Sequence, residues 1–251
     1  NIPIRGKEGA RIREAFVPAE GRTMLAADYS QVELRILAHY AQDKTLIQAF
    51  EEGDDIHRLT AAEVWGMKPE DVTSEERARA KAVNFGIIYG SSAFGLANQL
   101  GIATAEAQET IDAYFDRYKG VRNFIDETIS SSEDRGYAST FLGRRRYLPD
   151  LRSRNRTLRQ AAERVAVNSV IQGTAADLIK KAMIQISVAM AREKMAASMI
   201  LQVHDELVFE VEEDALKALS QIVVREMEAA LVFRVPLVVD VGQGANWREA
   251  H

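Results

Sequence analysis

Two acidic clusters stand where short apolar runs end. Asp28-Tyr29-Ser30-Gln31-Val32-Glu33 closes the run Thr23–Asp28, and His204-Asp205-Glu206 separates Met199–Val203 from Leu207–Val211. An acid at a strand end is held by rigid scaffold yet reaches solvent, as a ligand for a hard cation must. Two carboxylates from different elements are what two-metal phosphoryl transfer asks for. Each cluster also has a plainer reading. Asp and Ser both favour helix N-caps, and Asp favours turns. The sequence does not itself bring Asp28 and Asp205 together.

Arg77, Lys81, Phe85 and Tyr89 each follow the last by four residues, which places them on one slowly drifting helix face. Two cations a turn apart suit a polyphosphate, and two aromatics on the next turns suit a base and sugar. The competing reading is an amphipathic helix with Phe85 and Tyr89 buried. Gly86 and Gly90 weaken that helix by about 1 kcal/mol each relative to Ala, so close approach of a ligand or chain explains them better than helix stability does. Arg164, Asn168 and Gln172 repeat the spacing on an Ala-rich helix, where they would line a groove or form a polar seam. Residues 144–164 hold eight arginines against Asp150 and Glu163, a local net charge of +6 within a chain of net charge −5. A basic stretch containing Tyr147 is a reasonable phosphate-backbone footprint, or else a solvated surface.

The elements that must position these residues form an α+β pattern. A strand over Thr23–Asp28 precedes a helix from about Gln31 to Glu52. Helices follow over Asp54–Trp65, Ser74–Tyr89, Ser92–Leu100, Thr104–Tyr118 and Val121–Arg135, with Ser74 and Thr104 as N-caps and Gly101 and Gly120 as C-terminal stops. Tyr137–Phe141 and Arg145–Leu148 flank a Leu142-Gly143 turn. A long helix runs from about Leu158 to Met195, then the acidic hairpin, a helix over Glu213–Leu231 and a strand over Leu237–Val241. The opening NIPIRGKEGARIREAF shows no clean start to an element. The chain has 251 residues, 47% apolar and 27% charged, which is ordinary for a globular domain and excludes collagen-like or wholly disordered chains. It has no cysteine, so thiolate metal sites and disulfides are excluded. No apolar run approaches the roughly 20 residues of a membrane helix. Neither GxxxxGK[ST] nor GxGxxG occurs, so phosphate binding needs another device.

DYSQVELRILAHY (Asp28–Tyr40), RARAKAVNFGIIYG (Arg77–Gly90) and LQVHDELVFEV (Leu201–Val211) resemble the three motifs of family A DNA polymerases, the bacterial polymerase I type. DIHRLTAAEVWG, LGRRRYLPD, AAERVAVNSVIQGTAADLIKKAM and the closing NW…AH match as well, so the resemblance covers essentially the whole chain. It implies a right-hand fold: a palm with an antiparallel sheet (residues 1–52 and 158–251) and a helical fingers insertion (53–157). The thumb and a first palm segment are expected upstream in the same polypeptide.

The resemblance also implies that Asp28, Asp205 and the backbone carbonyl of Tyr29 bind two Mg²⁺ ions, for which Mn²⁺ can substitute, with Glu206 an auxiliary acid. Arg77 and Lys81 would hold the incoming phosphates, Lys81 also acting in catalysis, with His57 assisting. Phe85 would pack on the nucleotide, Tyr89 would lie near the nascent pair, and Gln31 would join the nucleotide-binding set. Glu33 would block the sugar 2′ position. Arg164, Asn168, Gln172, His204 and Tyr89 would touch the primer-template. The expected reaction is template-directed transfer of a nucleotidyl group from dNTP to a primer 3′-hydroxyl, in replication and repair, by a cytoplasmic, nucleoid-associated bacterial enzyme with no membrane partner. A two-metal nuclease would share the paired acids without needing the Arg-Lys-Phe-Tyr face. A non-catalytic nucleic-acid or nucleotide binding module is the other alternative.

Overall fold

The computed structural model describes residues 7–251, so the NIPIR opening lies outside the described residues. The elements run α1 (Lys7–Glu14), β1 (Arg22–Tyr29), α2 (Val32–Ala41), α3 (Lys44–Glu52), α4 (Ile56–Trp65), α5 (Ser74–Ile88), α6 (Ala93–Leu100), α7 (Thr104–Arg117) and α8 (Lys119–Arg135). They continue with β2 (Tyr137–Ser139), β3 (Arg145–Tyr147), α9 (Arg156–Arg192), β4 (Ala197–Val203), β5 (Glu206–Glu212), α10 (Leu216–Glu228), β6 (Val239–Gly244) and α11 (Trp247–Ala250). The chain folds as two compact units, one of residues 1–32 and 175–251, the other of residues 33–174. α3, the first half of α9 and all of α2 but Val32 belong to the second, helical unit.

The first unit is built on an antiparallel sheet of order β4-β5-β1-β6. β1 is central, and Met24, Leu25, Ala26 and Ala27 are all buried, so both of its faces are covered and the run reads as continuously apolar rather than alternating. On one face Met24, Ala26 and Val208 pack with Trp247 and Ala250 of α11. α10 turns Leu219, Ile222, Val223 and Met227 inward at helical spacing. The Tyr29 hydroxyl donates to the Met227 carbonyl at 2.7 Å and fastens the end of β1 to that helix.

The second unit is helical, with the short β2–β3 hairpin turned at Gly143 (φ 83°). The single helix expected over 31–52 is two. Gln42 adopts φ 48°, and Asp43 caps α3 by accepting from Thr45 and Leu46 N–H, so a polar pair inside an apolar periodicity breaks the helix. Asp43 Oδ2 also accepts from Gly120 N–H at 3.1 Å. Gly120 is therefore no C-terminal stop. It is the second residue of α8, where a Cβ would stand 2.5 Å from the Ala41 carbonyl oxygen. α5 is capped by Thr73, not Ser74, because Thr73 and Glu76 form a reciprocal capping box. Ala103, without a side-chain hydrogen bond, occupies the position expected for Thr104. Gly101 closes α6 in the left-handed conformation as expected.

At the C-terminus a 3₁₀ turn over Glu213–Ala215 delays the helix to Leu216, and the last strand runs Val239–Gly244. α1 and α11 were not legible as elements: both are short, and Trp247 gains its place from an edge-on contact with Phe16 (ring centroids 5.4 Å apart).

Candidate active site

The sheet unit brings the two acidic clusters together. Asp28 lies next to last in β1, directly opposite Glu206 on β5 and Asp240 on β6. Asp205 occupies the β4–β5 turn with His204, and its carbonyl accepts from Tyr29 N–H at 3.3 Å. His204 has φ 54°, a left-handed conformation uncommon outside glycine and characteristic of tight turns and functional sites. Burial, then the like charges of Asp205, Glu206 and Asp240, push the Asp28 carboxyl up to about 7. Burial also raises Asp205, with Glu206 adding to the rise and His204 and His251 opposing it. Asp28 Oδ1 is buried without a hydrogen-bond partner, a condition that costs about 1–3 kcal/mol unless a ligand satisfies it.

An all-oxygen donor set with clustered negative charge fits a hard divalent cation, which retains several waters and needs few protein ligands. Among the described residues no group of three or more His, Asp or Glu side chains is arranged to hold a metal. Glu206 is already held by other partners. It is buried, Oε1 accepts from Trp247 Nε1 at 2.7 Å, His251 Nδ1 lies 3.3 Å from the same oxygen, and Arg13 stands 3.7 Å from Oε2. Within the Asp28–Glu33 cluster Gln31 has φ 53°, with Oε1 buried and unpartnered.

The helical unit carries the cation–aromatic face. Lys81 is exposed and Phe85 half-buried, and Tyr89 is 37% exposed, so this face is presented to solvent and not folded into the core. Lys81 Nζ stands 6.0 Å from the Phe85 ring centroid, and the Phe85 and Tyr89 rings stack at 6.1 Å. Arg77 Nε donates to Asp55 Oδ2 at 2.5 Å. Asp55 Oδ1 caps α4 by accepting from His57 and Arg58 N–H at 3.0 and 3.1 Å. One carboxylate thus ties the arginine of α5 to the start of α4. The His57 ring lies 6.0 Å from Phe85. Burial, then Arg77 with Lys81 adding and Asp55 opposing, lowers its imidazole to about 4. Glu33 Oε2 accepts from the Tyr89 hydroxyl at 2.6 Å.

On α9, Arg164 and Gln172 are exposed, and Asn168 is half-buried with Oδ1 unpartnered. Gly90 has φ 68°, and a Cβ there would come within 2.7 Å of Arg164 Cγ. Its small size serves the approach of another part of the chain. Within the basic stretch, Arg152 caps the last turn of α8 through the Glu133 and Asp134 carbonyls, Arg145 covers the Tyr137 ring and Arg159 pairs with Glu163. Arg146, Tyr147, Arg154 and Arg156 are exposed. Sequence reasoning missed Asp55, Asn84, Asp240 and the Arg13–Trp247–His251 set around Glu206. Only Asp55 had a usable signal, an acid two residues before a histidine at a helix start.

The family model for DNA polymerase family A matches residues 1–249. The chain is 51% identical over 251 residues to DNA polymerase I of Pseudomonas aeruginosa, covering all of this chain and 28% of that protein. It is 50% identical over 251 residues to DNA polymerase I of Geobacillus stearothermophilus, covering all of this chain and 29% of that one. The solved POL domain of Pol1 from M. smegmatis, in complex with DNA primer-template and dNTP, superposes with a TM-score of 0.96 at 48% identity, over all of this chain and 44% of the other. The chain belongs to DNA polymerase family A. It spans under a third of the length of these curated relatives.

Proposed function

We propose that this chain carries the nucleotidyl-transfer site of a larger DNA polymerase, joining dNTP to a primer 3′-hydroxyl under template direction. The observation that carries the reading is Asp28: a strand-end carboxylate beside Asp205, raised by burial and like charge, with one oxygen buried and unpartnered. Asp28, Asp205 and the Tyr29 carbonyl would hold Mg²⁺, two ions in all or Mn²⁺ in their place, which when bound would supply charge neutralisation and an activated primer hydroxyl. Arg77 and Lys81 orient the triphosphate, and Asp55 holds Arg77 by Nε so that its terminal nitrogens can serve phosphate. His57 assists them, and Phe85, Tyr89 and Gln31 complete the nucleotide site. Glu33 excludes a 2′-hydroxyl. Arg164, Asn168, Gln172 and His204 bind the primer-template, and the exposed arginines on and before α9 extend the phosphate contacts.

The palm and fingers correspond to residues 1–52 with 158–251 and to residues 53–157, and the thumb and first palm segment are supplied by the rest of the polypeptide. The protein works on DNA in the bacterial cytoplasm, at the nucleoid. Among the described residues no helix is long and apolar enough to cross a membrane. The test is single-turnover incorporation by the intact protein. Asp28→Ala and Asp205→Ala should each lower the rate by roughly 10³-fold or more with unchanged circular dichroism. Near-normal incorporation by either variant refutes the assignment.

A further inference from the structure

Between α4 and α5 lies a buried polar chain that runs from His57 to residues outside the phosphate and base contacts. Asn84 is 0% exposed, Tyr118 0%, Thr60 1% and His57 3%. Asn84 Nδ2 lies 3.0 Å from His57 Nδ1 and donates to Thr60 Oγ1 at 3.1 Å. Thr60 Oγ1 in turn lies 3.2 Å from Asn84 Oδ1 and 3.4 Å from the Tyr118 hydroxyl. A carboxamide nitrogen carries two hydrogens and no available lone pair, so it can only donate. With that nitrogen turned to the ring, His57 Nδ1 accepts, which leaves the one hydrogen of a neutral imidazole on Nε2. Burial favours that neutral form first, and the facing charges add to it: Arg77 and Lys81 oppose a further positive charge more than Asp55 invites one. Asp55 meanwhile holds the His57 backbone through its N–H. The ring is fixed at both ends, its backbone by Asp55 and its proton by Asn84.

We propose that Asn84 is a positioning residue that holds His57 as the Nε2–H tautomer, so that the ring offers the triphosphate a hydrogen-bond donor and not an acceptor. The inference rests on the reading above that His57 assists Arg77 and Lys81. The opposite tautomer would set a nitrogen lone pair against phosphate oxygen. Asn84 is itself fully buried and acts through the imidazole it holds.

The test is nuclear magnetic resonance of the intact protein with isotope-labelled histidine, His57 being assigned by its loss in His57→Gln. In the parent, Nδ1 should resonate as an unprotonated and Nε2 as a protonated ring nitrogen. Asn84→Asp puts an acceptor where the donor was, and should place a hydrogen on Nδ1 at neutral pH. A parent with Nδ1 protonated, or an Asn84→Asp protein with an unchanged His57 signal, overturns the proposal. In kinetics, Asn84→Leu should raise KM for dNTP about 5- to 30-fold with kcat changed by less than about two-fold. Combined with His57→Gln it should add nothing to that single change, since both remove one device. Additive losses, or a His57→Gln protein with unchanged KM, overturn it. Nucleotidyl transfer itself stands or falls separately, on the Asp28 and Asp205 variants.

Discussion

The phenolic hydroxyl of Tyr89 donates to Glu33 Oε2 at 2.6 Å, joining the end of α5 to the first turn of α2. A charge-assisted bond of this length fixes both side chains, so the carboxylate proposed to screen the sugar does not swing freely. Glu33→Ala should raise the ribonucleotide-to-deoxyribonucleotide ratio of kcat/KM. Tyr89→Phe keeps the ring and removes only the bond, and should move the ratio the same way by a smaller factor, about 3- to 10-fold for a bond of about 1 kcal/mol. Unchanged ratios in both variants would remove Glu33 from this role.

Gly120 offers a test of the fold without touching the site. A methyl group there would meet the Ala41 carbonyl oxygen at 2.5 Å and Asp43 Cβ at 3.0 Å, and helix backbone on both sides prevents either from yielding. Gly120→Ala should destabilise by about 2–4 kcal/mol, despite alanine's higher helix propensity. Thermal melting checks this. A melting temperature at or above the parent's would mean that α8 does not press on the α2–α3 break.

Much of the site was legible, because apolar runs ending on acids and an i, i+4 series of cations and aromatics are local patterns. β1, the acidic hairpin and α5 fall within a residue or two of expectation for that reason. What escaped depends on partners distant in sequence. The burial of Glu206 is imposed by Trp247 and His251 from the far end of the chain, and Asn84 reads as an ordinary helical polar residue until α4 covers it. The break at Gln42-Asp43 escaped because the apolar periodicity continues across it. The pairing of Asp28 with the β4–β5 turn is a matter of strand register, which no local pattern specifies.

His57 carries a pH signature. Its imidazole ordinarily titrates near 6.5 and is lowered to about 4 in the fold. The unfolded chain therefore takes up a proton that the folded one refuses as pH falls from about 6.5 to 4. The stability His57 contributes is complete above that window and lost through it, about 2 kcal/mol after allowance for solvent screening. His57→Gln should flatten this part of the urea-unfolding profile against pH. An equally steep profile in the variant would assign the dependence to other groups.

The last prediction turns on one oxygen atom. Phe85 is half-buried in the exposed face of α5, between the His57 ring at 6.0 Å and the Tyr89 ring at 6.1 Å, and its proposed packing on the nucleotide would set it beside the sugar 3′ carbon. A phenyl ring offers no hydrogen bond, so on this placement the substrate's own 3′-hydroxyl would satisfy the neighbouring phosphate or metal-site group. A dideoxynucleotide lacks that hydroxyl and leaves its partner unsatisfied, a loss of about 1–3 kcal/mol, which corresponds to roughly 5- to 150-fold discrimination. Phe85→Tyr retains the ring and its stacking while adding a phenolic oxygen that can stand in for the missing group. The variant should accept dideoxynucleotides far better, with little change for normal substrates, as judged by kcat/KM for both in parent and variant. If the tyrosine protein discriminates as strongly as the parent, Phe85 does not face the sugar.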